Sequence, residues 1–259
     1  MTSSNEVREL LDFATDVAHE AGSLTLRYYG GIVDYDAKGD GSPVTIADRE
    51  AEQLIRKLVS EAYPNHGVLG EEFGESNPGA RVRWILDPID ATRSFMRGVP
   101  LYGVLVGIEV EGAATVGVAH FPPLRETVAA GAGLGCTWNG VRCRVSAVDR
   151  MEDAVILTTD VERILSRPEG EGWRRLQQRA AFSRTWGDCY GHALVATGRA
   201  EAMVDPLLNP WDAGPFLPIV TEAGGRFTTR EGEATIHGGS GISTNGLLHE
   251  EVLRELRTD

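Results

Sequence analysis

The sequence predicts a mixed fold: an α+β part over residues 1–145 and a smaller α/β part over 146–259. Three observations carry that reading. Two amphipathic helical patterns open the chain, strand-like runs separated by turn residues follow, and after Val145 strands and helices alternate. With 259 residues, 42% apolar and 24% charged, the chain can bury a sizeable core.

Val7, Leu10, Leu11, Ala14, Val17, Ala18, Ala21 and Leu24 recur at helical spacing, so a helix is predicted over about 6–28, ending at Gly30-Gly31. Residues 32–43 are polar and glycine-rich, predicting a mobile loop around Lys38-Gly39-Asp40-Gly41-Ser42. A second helix is expected over about 46–62, with Ala51, Leu54, Ile55, Leu58 and Val59 on its buried face. Thr45, three residues before Asp48, resembles a capping pair at its start. Val68-Leu69 is a short apolar run leading into Gly70-Glu71-Glu72, and 81–86 reads as a strand. The runs 102–109, 114–120 and 127–130 are successive strands turned by Glu111-Gly112 and Pro122-Pro123, an antiparallel meander packed on the two helices. Gly131, Gly133 and Gly135 do not form a dinucleotide loop, because Cys136 stands where the third glycine belongs and no helix pattern follows. With Asn139-Gly140 they read as a hairpin.

Beyond Val145, strands are expected at 154–158, 182–186, 202–204, 226–229 and 241–244. Helices are expected at 172–181, at 189–197 before Gly198, from Asp212 to near Gly224-Gly225, and at 249–257. Pro218 falls inside the third of these and is expected to remove a hydrogen bond and kink it, whereas Pro215 lies in its first turn.

The formal net charge of −13 argues against a nucleic-acid polyanion as main partner, since phosphate-backbone binding runs on clustered Lys and Arg. It leaves room for a small phosphorylated substrate, because a bound metal inverts the local sign. Cys136, Cys143 and Cys189 are an odd number without a CxxC pair, which fits a reducing compartment better than disulfides or zinc. No basic and apolar leader precedes Glu6, and the longest uncharged stretch, 98–108, is too short to span a bilayer. A cytoplasmic protein without a membrane partner is expected.

The chemistry gathers around Asp87-Pro88-Ile89-Asp90-Ala91-Thr92-Arg93-Ser94-Phe95, where two carboxylates leave a strand together. Glu71 lies upstream, and Asp212 follows Asn209-Pro210-Trp211 at a helix start. Either acid also has an ordinary reading, as a wet surface turn and a helix cap. Four acids at turns and helix starts repel one another unless cations hold them, and an all-oxygen set suits Mg²⁺ completed by phosphate oxygens. Two such ions sharing a carboxylate would polarise a phosphoryl group, activate a water and stabilise the leaving oxygen.

These residues resemble the inositol monophosphatase family of Mg²⁺-dependent, lithium-sensitive phosphatases. The family pattern D-P-I/L-D-G-T-x-N/S-F/Y matches 87–95 at all positions but one; Gly70-Glu71-Glu72, Trp211-Asp212-Ala213-Gly214 and Thr221-Glu222-Ala223-Gly224-Gly225 also fit. The resemblance implies a layered αβαβα sandwich, usually dimeric, with two or three Mg²⁺ ions. It implies that Glu71, Asp87 and the Ile89 carbonyl hold one ion, and Asp87, Asp90 and Asp212 a second. Thr92 and Asp48 would orient the attacking water, with Glu71 close to it, and no phosphoenzyme would form. The backbone N–H groups of Ala91 and Thr92 would cradle the phosphate, and Lys38 falls in the family's mobile metal-binding loop. Ala91 departs from the family glycine. If φ is positive there, the methyl costs roughly 1 kcal/mol; if negative, it is harmless.

Specificity is expected from Trp186-Gly187-Asp188-Cys189-Tyr190-Gly191 and from Asp205-Pro206-Leu207-Leu208-Asn209-Pro210. Asp188 can instead cap the following helix, and Asp205 can begin a turn before Pro206. If Asp188 and Asp205 both point inward, with Asn209 as a neutral contact, the leaving alcohol should be cationic. The two segments are similar to the histidinol-phosphate phosphatase branch, which implies hydrolysis of L-histidinol phosphate in histidine biosynthesis. Inositol 1-phosphate is the alternative substrate, and a phosphate-ligand binding protein weakened by Ala91 the alternative of another class. Cys189 with His192 at i,i+3 reads as helix packing rather than a thiol nucleophile.

Overall fold

A computed structural model describes residues 2–31, 34–39 and 41–257. Helix α1 (Ser4–Thr25) leads to a hairpin of β1 (Tyr35–Ala37) and β2 (Pro43–Thr45), then α2 (Ile46–Ala62). Strands β3 (Gly67–Gly70), β4 (Gly74–Ser76) and β5 (Val82–Asp90) precede the short α3 (Thr92–Met96). Strands β6 (Gly103–Val110), β7 (Ala113–Phe121), β8 (Glu126–Gly131), β9 (Gly135–Trp138) and β10 (Val141–Arg142) follow. The chain continues through β11 (Val155–Leu157), α4 (Val161–Leu165), α5 (Gly170–Arg179), β12 (Phe182–Arg184) and α6 (Asp188–Ala196). It ends with β13 (Ala202–Asp205), α7 (Pro210–Ala213), α8 (Phe216–Glu222), β14 (Arg226–Thr228), β15 (Gly241–Thr244) and α9 (His249–Leu256).

These elements stack in five layers, α on β on α on β on α. An eight-stranded sheet runs β10-β9-β8-β7-β6-β5-β3-β4, and a five-stranded sheet runs β12-β11-β13-β15-β14. Side chains alternate across a strand, so Trp84 and Leu86 of β5 join Val7, Leu10, Ile55 and Val59 of α1 and α2. Ile85 faces the other way and packs with Cys189 and Ala193 of α6 and Phe216 and Ile219 of α8. The far face of the small sheet buries Trp173 and Leu176 of α5 and Val252 and Leu253 of α9.

The expected meander is present as β6 to β8 and is continued antiparallel by β5 on one side and β9 and β10 on the other, whereas β3 pairs with β5 in parallel and β4 extends the edge. Parallel pairing needs a crossover longer than a turn, and residues 71–81 supply it. The predicted loop at 32–43 carries the β1–β2 hairpin; Ile32, Val33 and Asp40 lie outside the described residues. The helix expected from Asp212 is two helices, broken at Gly214-Pro215 rather than kinked at Pro218. Pro218 is the third residue of α8, where its N–H would have no partner within the helix.

The break has a packing cause. Gly107 and Gly117 are cross-strand partners on β6 and β7. A Cβ on Gly107 would meet the Gly214 carbonyl carbon at 2.7 Å, and one on Gly117 the Pro215 oxygen at 2.0 Å. Two adjacent glycines thus let the α7–α8 junction lie directly on the sheet, which carries Asp212 toward the end of β5.

Candidate active site

Pairing of β5 with β6 is regular from Val82–Val110 to Asp87–Leu105 and slips before Asp90–Gly103. Pro88 sits in the slip, the one place in a central strand that tolerates a missing donor. The irregularity turns Asp87 and Asp90 to one side. Asp87, Asp90 and Asp212 each present a carboxylate oxygen within 4.8 Å of the others. Asp212 also closes a capping box, its Oδ2 accepting the Asn209 backbone N–H at 2.7 Å and the Asn209 side-chain amide at 3.3 Å. The cap and the pocket readings of Asp212 both hold.

Glu71 lines the same cleft, its backbone N–H donating to the Leu86 carbonyl at 3.2 Å. Lys38, expected on a loop, reaches across from the hairpin: its Nζ lies 2.7 Å from Glu71 Oε1 and 2.6 Å from Glu72 Oε1. Burial opposes the Lys38 charge, but the two glutamates overcome it and raise its pKa. Asp48 is fully buried in a capping box, its Oδ2 accepting the Thr45 N–H at 2.8 Å and hydroxyl at 2.5 Å. Asp48 Oδ1 faces the Thr92 hydroxyl at 3.4 Å, and that hydroxyl donates to the Ile89 carbonyl at 3.0 Å. Ala91 has φ 67° and ψ 47°, the left-handed conformation that glycine takes without penalty, so its methyl is strained.

The cleft holds about 970 Å³. Its walls include Glu71, Asp87, Asp90 and Asp212 together with Asp160, Glu162, Asp188 and Asp205, against two basic side chains, Arg93 and Arg163, among the described residues. Such crowding pushes protons onto the acids. Burial, then the charge of Asp212, lifts Asp90 to about 7. Burial lifts Asp212 to about 6, with the Asn209 N–H opposing, and Asp48 to about 6 against its bonds from Thr45. Asp87 is pushed well above the carboxylate range by burial and then by Glu71, Asp90 and Asp212. Carboxylates held this close at neutral pH fit a hard divalent cation, since a cation removes the repulsion that their raised pKa values report.

Asp188 and Asp205 both face the cleft, and Asn209 lies on its wall. Asp188 is the first residue of α6, whose N-cap is Gly187; its φ is +50°, and burial followed by the Asp90 charge lifts it to about 7. Asp205 closes β13 and is buried, pushed well above its ordinary value by that burial and by Asp188. Cys189 and His192 are both buried, the thiol against Gly103 and the ring stacked at 5.0 Å on Phe216, as packing residues.

Two features escaped the sequence reading. Glu52 is fully buried and accepts the N–H groups of Glu72 at 2.7 Å and Phe73 at 3.2 Å, as well as Arg56 Nε at 2.8 Å. It thereby shapes the turn carrying Glu71. An acid on the stripe of Ala51, Ile55 and Val59 was the available signal. The second is the outer wall from Thr159 to Arg163, built on α4, which at five residues is too short for periodicity to register.

A model of the inositol monophosphatase family matches residues 6–259. The chain belongs to that family. It is 44% identical to a histidinol-phosphatase of Chlorobaculum parvum over 94% of this chain and 95% of that one. It is 36% identical to a histidinol-phosphatase of Mycobacterium tuberculosis, covering 95% and 97%. An IMPase structure from Thermotoga maritima superposes with a TM-score of 0.87 at 31% identity, covering 96% of each chain. As a member of the inositol monophosphatase family, the protein is a phosphoric monoester hydrolase, and its layered sandwich is the family fold. Metal dependence belongs to that family, and Asp87, Asp90 and Asp212 form an acidic cluster of a kind that could hold an ion. Among the described residues no helix is long and apolar enough to cross a membrane.

Proposed function

We propose that this enzyme hydrolyses L-histidinol phosphate to L-histidinol and phosphate. The observation that carries the reading is the pair Asp188 and Asp205, two carboxylates in the cleft beyond the Asp87–Asp90–Asp212 cluster. An alcohol bearing an amine and an imidazole gains from pairing with them, whereas an anionic sugar phosphate is repelled. The names of two relatives agree. Inositol 1-phosphate is the second reading, favoured by the Thermotoga IMPase likeness and by Asn209, a neutral polar contact for hydroxyls.

Glu71, Asp87 and the Ile89 carbonyl, with Asp90 and Asp212, would hold two or three Mg²⁺ ions. When bound, these would polarise the phosphoryl oxygens, lower the pKa of a nearby water and stabilise the leaving oxygen. The chain's own groups do the rest. Ala91 and Thr92 offer backbone N–H groups to the phosphate from the start of α3. Asp48 Oδ1 and the Thr92 hydroxyl align the attacking water opposite the leaving alcohol, with Glu71 beside it. Asp188 and Asp205 hold the cationic alcohol, and Asn209 adds a neutral contact. In this reading residues 1–145 carry the metal and phosphate site, and 146–259 carry the specificity segments and one metal ligand, Asp212. Lys38 belongs to a mobile metal-binding loop, the enzyme works as a homodimer, and its three free thiols suit the cytoplasm.

The test is kcat/KM at fixed Mg²⁺ for histidinol phosphate, inositol 1-phosphate, fructose 1,6-bisphosphate and a 3′-phosphoadenosine nucleotide. Histidinol phosphate should lead. Preference for either of the last two overturns the cationic-substrate argument.

A further inference from the structure

We propose that Thr159 is a positioning residue whose one hydroxyl ties the Asp205 carboxylate to the backbone that carries Asp188. The inference rests on the reading of Asp188 and Asp205 as substrate contacts. Thr159 Oγ1 donates to Asp205 Oδ2 at 2.8 Å and accepts the Asp188 backbone N–H at 2.8 Å. A hydroxyl has one proton to give, and here it goes to Asp205 while a lone pair takes the amide. Neither contact is local: 46 residues separate Thr159 from Asp205, and 29 separate it from Asp188.

The register of the small sheet brings the three together. Strands β11 and β13 are parallel, with Ile156 opposite Ala202 and Leu157 opposite Met203. Continuing that offset beyond the paired residues sets Thr159 beside Asp205. Strand β12 flanks β11 on the other side, Leu157 opposite Arg184, and delivers the chain to Gly187-Asp188. A Cβ on Gly187 would lie 2.3 Å from Thr159 Cα, so this backbone rests directly on the threonine.

Both acids need the hold. Asp188 has φ +50°, a left-handed conformation uncommon outside glycine though more open to Asp than to most residues, so without an acceptor for its N–H the backbone there is free to relax. Asp205 is buried and repelled by Asp188. Among the described residues the Thr159 hydroxyl is its hydrogen-bond donor, since His192 Nε2 lies 3.9 Å away, beyond hydrogen-bond reach. Thr159 thus links the Asp205 carboxylate to the Asp188 backbone, and the spacing this sets between the two acids selects the substrate.

The test compares Thr159→Val, which keeps the branched shape and removes the hydroxyl, with Thr159→Ser, which keeps it. For Thr159→Val, KM for histidinol phosphate should rise by about tenfold, the effect of losing a hydrogen bond to a charged group. Its kcat should fall much less, and a neutral aryl phosphate should be turned over within about twofold of wild type. Thr159→Ser should restore the wild-type KM. Wild-type kinetics in Thr159→Val, or equal losses on both substrates, overturn the proposal. Hydrogen exchange of the Asp188 amide reads the tether without any substrate: it should quicken about tenfold in Thr159→Val and stay slow in Thr159→Ser. Unchanged exchange overturns the tether whichever ester is preferred. Absence of a wild-type preference for histidinol phosphate sinks the substrate reading instead.

Discussion

The Asp90 carboxylate accepts the backbone N–H of Cys189 at 2.7 Å through Oδ2, joining the end of β5 to the start of α6. The acid that completes the metal-type cluster is therefore also the strut that sets the segment bearing Asp188. Asp90→Asn keeps an oxygen for that N–H and removes one charge. The folded variant should lose Mg²⁺ affinity by about a hundredfold or more by titration calorimetry, and its metal-free form should melt above wild type. Unchanged Mg²⁺ affinity would remove Asp90 from the ligand set.

Asp188→Asn should weaken kcat/KM for histidinol phosphate by about ten- to a hundredfold, the worth of a charge-assisted bond. A neutral aryl phosphate should be nearly unaffected. Equal losses on both would make Asp188 a structural residue.

Ala91 sits at φ 67°, so glycine there relieves the crowding of the methyl. Ala91→Gly should gain about 1 kcal/mol in urea unfolding without loss of phosphatase activity. A loss of stability would mean that burial of the methyl outweighs the strain.

Glu52 is buried and accepts two backbone N–H groups and an arginine. Glu52→Gln sets an NH₂ group among those donors and leaves Arg56 without its anion. The cost should be about 2–4 kcal/mol, with phosphatase activity falling because the Glu71 turn loosens. Activity preserved alongside reduced stability would separate the turn from catalysis.

His249 is buried with its nitrogens on the Thr244 hydroxyl at 2.9 Å and the Thr228 hydroxyl at 3.1 Å. Burial, helped by Arg226 and opposed by Glu250, pushes its pKa down to about 4. The unfolded chain takes up this proton near the ordinary value of about 6.5, the folded chain only near 4. Stability should therefore fall as pH drops through that window, by on the order of 3 kcal/mol from this group. His249→Gln should show a shallower pH slope in urea unfolding; an identical slope would mean that the ring titrates alike in the folded and unfolded chain.

The helices α1 and α2, the meander β6 to β8 and the Asn139-Gly140 hairpin were legible in sequence because each is set by local periodicity and turn chemistry. So was the acid set, since residue types at strand ends and helix starts are written in the chain. What the sequence left open was decided by distant pairings. Whether Ala91 is strained depended on a backbone angle, and whether Asp212 caps or faces the cleft depended on Gly107 and Gly117 letting α7 down onto the sheet. Glu52 and Thr159 gained their roles only from partners 20 or more residues away. The sequence alone determined which side chains could do chemistry and which segments would become helix or strand. The tertiary structure decided which of them share a pocket, because close packing of two sheets around one helical layer fixes distances that no local pattern encodes.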